Sequence, residues 1–342
     1  MTHHRCCFIL LHVRQKLHRL RMPCGYILGV LAACLLLLVY VIHSSTERKF
    51  TIGHQQAGVA AYIPERGRLE TFTVQNIKIS YYLPKLGCPD RPWILALVIS
   101  SAEDFQCRAA VRSTWASEAS ALGLNLTERL RVLHLIAVSR NETANNNIMR
   151  ESRTHFDLAQ GNFVDSYRNL TIKSIMGLHI ATSACPRQPG LVIKIDCDTY
   201  LNVDNLLAFE SGDNHANAIY GFLLDNDRPI RRRKNKSFIS REEYDGGTYP
   251  PFIGGFFYVM TTGVAGQLYG EAARCNYLLP LEDVSVTGLL AERVGVRRYH
   301  LAGVLRRTPR VWEETFSALA VHSLTPPQMT NISKTRWRYQ HS

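Results

Sequence analysis

The chain has 342 residues, 46% of them apolar, and a formal net charge of +12, which leaves room for one large folded domain or two small ones. It shows no internal repeat and no low-complexity tract. The basic charge invites a nucleic-acid partner, but no zinc-finger spacing, RNA-binding aromatic signature or long basic helix accompanies it. We therefore expect no nucleic-acid partner.

The amino terminus has the pattern of a membrane anchor. Residues 1–22 carry five Lys/Arg and no acid, and residues 23–42 then run for twenty positions without a charge. Twenty helical residues span about 30 Å, the thickness of the hydrocarbon layer. A cleaved signal peptide would have a shorter apolar centre and a small-residue cleavage site, which residues 39–42 do not offer. Because a basic flank stays in the cytosol, the pattern predicts a single-pass type II signal anchor.

This topology divides the chain into five parts. We predict a basic cytosolic tail at 1–22, a transmembrane anchor at 23–42, a lumenal stem at 43–90, a catalytic domain at 91–330 and a C-terminal tail at 331–342. Sequons for N-glycosylation occur only after the anchor, at Asn125, Asn141, Asn169, Asn235 and Asn331, which supports the lumenal assignment.

Five of the nine cysteines follow the predicted anchor: Cys88, Cys107, Cys185, Cys197 and Cys275. In an oxidising compartment they predict one or two disulfides with at least one thiol left over. They show no zinc-ligand spacing.

Apolar runs and helical patterns alternate in the first half of the predicted catalytic domain. The runs lie at 93–101, 131–139 and 191–195, and the helical patterns lie at 103–115, 146–156 and from about 163 to 185. The order strand, helix, strand, helix, strand predicts an α/β domain with a largely parallel sheet. In such sheets ligands bind at the carboxyl ends of the strands.

The last of these strands runs directly into two acids, Asp196 and Asp198. Two carboxylates suit Mn²⁺ or Mg²⁺, and the diphosphate of a nucleotide sugar can complete the coordination shell. The alternative interpretation is a strand that ends in a solvated acidic turn.

Further charged residues lie close to the predicted strand ends. Arg108 and Arg112 are four apart on the first helical pattern, where two guanidiniums could grip a diphosphate, although an ordinary surface helix would look the same. Asp165 and Lys173 bracket the start of a later helix. The basic loop at 228–236 is interpreted as a solvated surface.

Three features of the last third complete the candidate set. Gly255, in a Gly-Gly pair, would let the backbone approach a ligand closely. Glu282 and Asp283 open an amphipathic helix, where acids either complement the helix dipole or include a general base. His322 precedes a Pro-Pro pair, and a lone histidine is more often structural than a ligand.

With these pieces in order, the chain resembles the β-1,3-galactosyltransferase/β-1,3-N-acetylglucosaminyltransferase family, with Fringe as a more distant relative. The motifs that carry the resemblance lie at 108–115, 165–173, 192–202, 236–240, 249–251, 255–259, 282–284 and 321–329. The resemblance implies a GT-A type nucleotide-sugar transferase domain, a Rossmann-like mixed sheet flanked by helices, in a Golgi type II membrane protein. It also implies a UDP-sugar donor, Mn²⁺, and inverting transfer to a β-1,3 linkage on the glycan of a glycoprotein or glycolipid.

The resemblance also implies roles for residues. Asp283 would be the catalytic base with Glu282 beside it, and Asp198 would be the better direct metal ligand. Asp196 would belong to the same metal and diphosphate motif, and His322 would complete the metal shell. The residues implied for the nucleotide site are Arg108, Arg112, Asp165, Lys173 and Gly255. The family also has cysteines at the positions of Cys88 and Cys185, which lie just before neighbouring strands and would form a disulfide.

The chain departs from the family pattern at three places. Cys197 stands where the family usually has a third acid, and we expect Cys197→Asp to be tolerated. Phe252 and Ile253 replace a Cys and a Tyr, and Phe257 replaces a glycine, which would reshape the sugar pocket. The cysteine expected before His322 is absent.

Two classes of function remain open. The first is an active transferase, with galactose as the first donor sugar and N-acetylglucosamine as the alternative. The second is a catalytically silent relative that serves as a binding partner or folding helper. Retention of Asp196, Asp198 and Asp283 favours the enzyme.

Overall fold

The computed structural model describes residues 67–90, 93–117, 129–210, 217–307 and 312–341. These residues all fall in the second of the two units into which the chain divides, His54–Ser342. The predicted cytosolic tail at 1–22 and anchor at 23–42 lie outside the described residues. Among the residues that are described, no helix is both long and apolar enough to cross a membrane.

Most of the strands form one mixed sheet. The strands are β1 (Gly67–Val74), β2 (Ile77–Pro84), β3 (Ile94–Ile99), β4 (Leu130–Val138), β5 (Leu158–Val164), β6 (Leu191–Asp196), β7 (Tyr200–Leu201), β8 (Ala218–Leu224), β9 (Phe252–Thr261), β10 (Arg297–His300), β11 (Val304–Leu305) and β12 (Ala320–Val321). Within the described ranges the large sheet has nine strands in the order β1-β2-β5-β4-β3-β6-β9-β8-β10. A smaller sheet there has the order β11-β12-β7.

The centre of the large sheet is parallel, as the alternation of strands and helices predicts. Strands β5, β4, β3 and β6 run parallel to one another, whereas β9 joins β6 antiparallel and β2 joins β5 antiparallel. All six side chains of β3 are buried, which is typical of a strand covered on both faces. The fold is therefore a mixed α/β sheet.

Helices cover both faces of this sheet. They are α1 (Phe105–Ser113), α2 (Glu142–His155), α3 (Leu170–Ser183), α4 (Val203–Glu210), α5 (Thr262–Arg274), α6 (Ala291–Arg293), α7 (Trp312–Ser317) and α8 (Pro326–His341). Helix α3 is buried along most of its length, and a Cβ at Gly177 would lie 2.7 Å from Leu135 of β4. Met329 of α8 and Val111 of α1 belong to one apolar cluster with β3 and β6.

The folded domain is longer than the sequence predicts. Strands β1 and β2 form a hairpin whose turn residues Gln75 and Asn76 have positive φ, and β2 joins the central sheet through β5. Phe72 and Tyr81 of this hairpin are buried. Among the described residues the sheet therefore begins at Gly67, inside the predicted stem at 43–90. At the other end α8 runs to His341 instead of leaving a tail at 331–342.

Two connections position the candidate site. After β9, the residues Val284–Leu290 form a π-helix that begins directly after Asp283. Such segments occur often at functional sites. Strand β12 pairs antiparallel with β7, so the segment that carries His322 lies beside the turn that carries Asp198.

Two disulfides are present among the described residues. Cys88–Cys185 joins the loop before β3 to the loop before β6, as the resemblance implies, and Cys107–Cys197 joins α1 to the turn after β6. Cys275 is a free, buried thiol. The expectation of one or two disulfides and one remaining thiol is confirmed for this part of the chain.

Candidate functional site

A buried lysine organises the acids at the end of β6. Lys194 is 5% exposed, and its Nζ lies 2.7 Å from Asp196 Oδ1 and 3.3 Å from Glu282 Oε2. Burial acts to lower the pKa of Lys194, but the Coulomb attraction of Asp196 and Glu282 outweighs it, so the pKa is raised above its usual value. Lys194 is therefore a permanent cation that ties the acid at the end of β6 to the acid before the π-helix.

Gly255 on β9 makes this arrangement possible. Its carbonyl accepts a hydrogen bond from Lys194 Nζ. A Cβ at this position would lie 2.8 Å from Glu282 Oε2 and 3.4 Å from Asp283 Cβ. Glu282 and Asp283 are thus the groups that approach the Gly255 backbone closely. They fit there because glycine has no side chain.

Glu282 has both of its oxygens occupied. It is 6% exposed, Oε1 accepts a hydrogen bond of 2.7 Å from Tyr258 Oη, and Oε2 faces Lys194. Burial and the charge of Glu282 raise the pKa of Tyr258 well above its usual value, so the phenol remains a donor. Glu282 is therefore held in place by a phenol on one oxygen and an ammonium on the other.

The Asp283 side chain is less constrained by its neighbours than that of Glu282. Its side chain is partly buried, and Oδ1 accepts a hydrogen bond of 2.9 Å from the Val284 N–H. Burial and the repulsion of Glu282 raise the pKa of Asp283 to about 6, although backbone hydrogen bonds and Lys194 act to lower it. An efficient general base has a pKa close to the working pH, and Asp283 meets that requirement.

A second carboxylate pairs with the histidine near the carboxyl terminus. Asp198 Oδ1 lies 3.3 Å from His322 Nδ1, and the Asp198 side chain is 48% exposed. Thr199 Oγ1 lies 3.1 Å from the same nitrogen, and the imidazole stacks on Phe256 with 4.7 Å between ring centroids. His322 is therefore oriented toward Asp198.

The Asp198–His322 pair has the chemistry of an open metal site. A carboxylate and an imidazole are both ligands of Mn²⁺-type cations. Among the described residues no group of three or more His, Cys, Asp or Glu is arranged to hold a metal ion. Asp196, by contrast, faces Lys194 through Oδ1.

The structure gives Arg108 a different place from the nucleotide site that the resemblance implies. Arg108 is fully buried, and Nε and Nη2 lie 2.9 and 2.7 Å from the two carboxylate oxygens of Glu151. The other donors reach Ser100 Oγ and the carbonyls of Ser101 and Ala102. A guanidinium has five N–H donors, and all five are used inside the protein.

Arg112 and the pair Asp165–Lys173 are held in the same way. Arg112 bonds Asp157 through Nε at 2.7 Å and Glu151 through Nη1 at 2.7 Å. Lys173 Nζ lies 2.8 Å from Asp165 Oδ1, and Asp165 Oδ2 accepts from the Ala102 N–H at 2.9 Å. Arg112, Asp165 and Lys173 thus form ion pairs and hydrogen bonds inside the protein, near the ends of the strands. We therefore correct the expectation that these side chains bind the nucleotide directly.

We expect Arg108→Ala to lower the free energy of unfolding by about 3–5 kcal/mol, because it breaks a buried ion pair, leaving Glu151 with Arg112 alone and the Ser101 and Ala102 carbonyls without their donor. The matched control is Arg129→Ala, which removes a more exposed arginine from a pair with Glu210 and should cost at most about 1 kcal/mol. Denaturant titration of both variants measures the difference. Unchanged stability together with lost UDP binding by Arg108→Ala would return the arginine to the nucleotide site.

Cys197, which stands where the family usually has a third acid, is buried. It is 5% exposed, bonded to Cys107 and packed in the apolar cluster that includes Ala110 and Val111. A carboxylate at this position would be buried without a partner, which is costly. We therefore correct the expectation that Cys197→Asp is tolerated.

The residues of β9 that differ from the family pattern, Phe252, Ile253 and Phe257, also lie in the core. Phe257 and Ile253 are fully buried, and Phe257 pairs with Ile195 of β6. Phe252 belongs to a separate apolar cluster with Tyr249 and Val284. These side chains are packed in the core around β9.

Sequence reasoning missed Lys194, Tyr258 and Glu151. Lys194 does carry a signal, since a single charge inside an apolar strand requires a partner. Tyr258 and Glu151 carry none, because their partners are far away in the sequence and only the fold brings them together.

Comparison with known proteins gives consistent matches. The family model described as Galactosyltransferase matches residues 106–302. Beta-1,3-galactosyltransferase 5 from Gorilla gorilla gorilla is 36% identical over 217 residues, covering 63% of this chain and 70% of the relative, and the Homo sapiens protein of that name is also 36% identical, with 63% and 68% covered. Beta-1,3-galactosyltransferase 1 from Mus musculus is 29% identical over 250 residues, covering 70% and 73%.

Likeness to solved structures is weaker. A glycosyltransferase involved in the glycosylation of the major capsid of PBCV-1 shares 12% identity and a TM-score of 0.40, with 71% of this chain and 100% of that chain covered. At this TM-score the likeness adds nothing to the sheet order described above.

Proposed function

The chain belongs to the galactosyltransferase family, and we propose that it is an inverting β-1,3-galactosyltransferase that moves galactose from UDP-galactose to the 3-hydroxyl of an acceptor sugar. The observation that carries this proposal is Asp283, a partly buried carboxylate whose pKa is raised to about 6 next to acids that Lys194 holds in place. The names of the relatives supply the donor sugar and the linkage.

In the proposed reaction the acceptor 3-hydroxyl oxygen attacks the anomeric carbon of galactose while its proton passes to the Asp283 carboxylate. The bond between the anomeric carbon and the diphosphate oxygen breaks, and UDP leaves with the bonding electron pair. One displacement inverts the anomeric centre, so no covalent nucleophile is needed. Lys194 holds Glu282 and Asp196 beside the base through ion pairs of 3.3 and 2.7 Å.

We propose Mn²⁺ as the cofactor, held by Asp198 and His322. The two side chains fit such an ion because they lie together and one of them is half-exposed. When bound, the ion would neutralise charge on the leaving diphosphate. Asp196 lies two residues away but is paired with Lys194, so we assign it to charge balance rather than direct ligation.

The finer points of fold and location follow from the resemblance and from the sequence. We propose a GT-A type domain in a Golgi membrane protein of type II topology, with residues 23–42 as the anchor and the acceptor on a glycoprotein or glycolipid. Five sequons after the anchor support the lumenal side. The fold restricts their use, since Asn169 is 6% exposed and its Nδ2 donates to Val164 O at 2.8 Å, whereas Asn141 and Asn235 are exposed.

The test is a donor panel. Full-length protein purified in detergent is incubated with Mn²⁺, glycan acceptors and UDP-galactose, UDP-N-acetylglucosamine or UDP-glucose, and transfer to the acceptor is measured. Transfer from UDP-galactose alone supports the proposal. Transfer from UDP-N-acetylglucosamine alone makes the chain a β-1,3-N-acetylglucosaminyltransferase, and transfer from none indicates a silent binding partner.

The raised pKa of Asp283 predicts how activity depends on pH. The base must be ionised, so kcat/KM should fall as the pH drops through about 6, by one decade per pH unit. Because Lys194 acts to lower this pKa, Lys194→Met should move the acid limb to higher pH. Profiles are measured at saturating Mn²⁺, so that protons do not compete for the metal ligands. An acid limb that Lys194→Met leaves in place, or moves to lower pH, would contradict this assignment.

A further inference from the structure

The Cys107–Cys197 disulfide lies inside the acidic turn of the candidate site. Cys197 stands between Asp196 and Asp198, and its bond to Cys107 closes a sequence separation of 90 residues. Both cysteines are buried, at 4% and 5% exposure, whereas the Asp198 side chain is 48% exposed. The turn thus directs one side chain into the core and leaves the next one open to the site.

The partner of Cys197 is Cys107, which lies in the first turn of α1. Asp104 caps α1 by accepting a hydrogen bond of 3.1 Å from the Cys107 N–H. The next residue, Arg108, binds the carbonyls of Ser101 and Ala102 after β3 and the carboxylate of Glu151 on α2. These contacts hold Cys107 at the end of β3. Because Cys107 is bonded to Cys197, they also restrict the movement of the acidic turn.

The other contacts of the turn hold Asp198 from the opposite side. The Asp198 carbonyl accepts a hydrogen bond of 3.0 Å from the Leu324 N–H, two residues after His322. Thr199 Oγ1 lies 3.1 Å from His322 Nδ1. Asp198 is thus placed between the covalent link to α1 and the segment that carries His322.

We propose that the Cys107–Cys197 disulfide is a positioning device for the cation site, holding Asp198 opposite His322 so that the pair binds Mn²⁺ together with UDP. The inference rests on the proposed function and extends it to residues at which the family resemblance implies no such role. A site with two protein ligands depends on their being held in place before the cation arrives, and a crosslink next to one ligand supplies that constraint. The chain then needs this disulfide intact for tight cation binding.

The second disulfide provides a matched control. Cys88–Cys185 closes a sequence separation of 97 residues, close to the 90 of Cys107–Cys197. In the chain-entropy model the two bonds stabilise the fold by nearly the same amount, since the stabilisation varies with the logarithm of loop length. A purely structural role therefore predicts equal effects from both, and a positioning role predicts an additional effect from one.

The experiment compares Cys107→Ala/Cys197→Ala with Cys88→Ala/Cys185→Ala in the full-length protein. Calorimetry measures Mn²⁺ affinity at saturating UDP, and thermal unfolding measures Tm. We expect both double variants to lose Tm to a similar extent. Mn²⁺ affinity should fall about 10–100-fold in Cys107→Ala/Cys197→Ala only, the range typical for residues that orient a metal ligand.

A second arm covers a Cys107→Ala/Cys197→Ala variant that does not fold. In folded Cys88→Ala/Cys185→Ala protein, Cys107–Cys197 is the disulfide that remains among the described residues. This protein is treated with dithiothreitol and its thiols are trapped. Its Mn²⁺ affinity is then measured again. A fall in affinity supports the proposal. Equal affinity before and after reduction overturns it.

The outcomes separate this proposal from the proposed function. Unchanged Mn²⁺ affinity in Cys107→Ala/Cys197→Ala overturns the positioning role even in an active transferase. A wild-type protein that binds Mn²⁺ with UDP but transfers no sugar contradicts the transferase and leaves the positioning role standing. A wild-type protein that binds no Mn²⁺ overturns both the cation site and the positioning role.

Discussion

Asp283→Asn is expected to reduce turnover by about 10²–10⁴-fold, the typical contribution of a positioned general base. The amide keeps the shape of the side chain but cannot accept the proton of the acceptor hydroxyl. Affinity for UDP-galactose should change little, because the proposed donor contacts lie at Asp198 and His322. Turnover and donor binding, measured side by side, separate the two effects.

Glu282→Gln is the matched comparison. It removes one negative charge from Lys194 but keeps an oxygen that can accept the Tyr258 hydroxyl, so we expect a smaller loss of turnover than in Asp283→Asn. Near-normal turnover in Asp283→Asn, or a collapse of donor binding in that variant, would move the base elsewhere, with Glu282 the next residue to test.

Asp198→Ala is expected to reduce turnover by about 10³-fold or more, because a cation that stabilises the leaving diphosphate contributes several kcal/mol. The side chain is half-exposed and is not part of an apolar cluster, so Tm should stay close to that of the wild type. Excess Mn²⁺ should not restore turnover.

Asp90→Ala supplies the control for Asp198→Ala, since Asp90 is an exposed aspartate before β3, outside the candidate site. It should leave turnover and the Mn²⁺ requirement unchanged. Most of the wild-type activity in Asp198→Ala would show that the metal assignment is wrong.

Much of the sheet could be predicted because its signals are local. The run that becomes β3 is continuous, and those that become β4 and β6 are mostly apolar with few interruptions such as His134 and Lys194. Strand β5 was missed because its sequence, LAQGNFV, mixes Gly and polar residues and does not alternate. The sequence does not join the hairpin at the start to the folded domain, because its pairing with β5 is not a local property.

The candidate site could be predicted only in part. Asp196, Asp198, Glu282 and Asp283 stand at element ends, where short-range patterns point to chemistry. The roles of Arg108 and Arg112 could not be predicted, because a paired arginine and a free one look the same until Glu151 and Asp157 are placed beside them. That is the physical reason why the nucleotide-site expectation failed while the base and metal candidates remain.

The most direct test of the central claim is the structure of the product. Wild-type protein is incubated with UDP-galactose, Mn²⁺ and a glycan acceptor, and the product is analysed by NMR. We predict a β-linked galactose on the 3-hydroxyl of the acceptor sugar, formed by the wild type and nearly absent with Asp283→Asn. An α-linked product, a linkage to another hydroxyl, or equal product from Asp283→Asn would contradict an inverting transfer with Asp283 as the base.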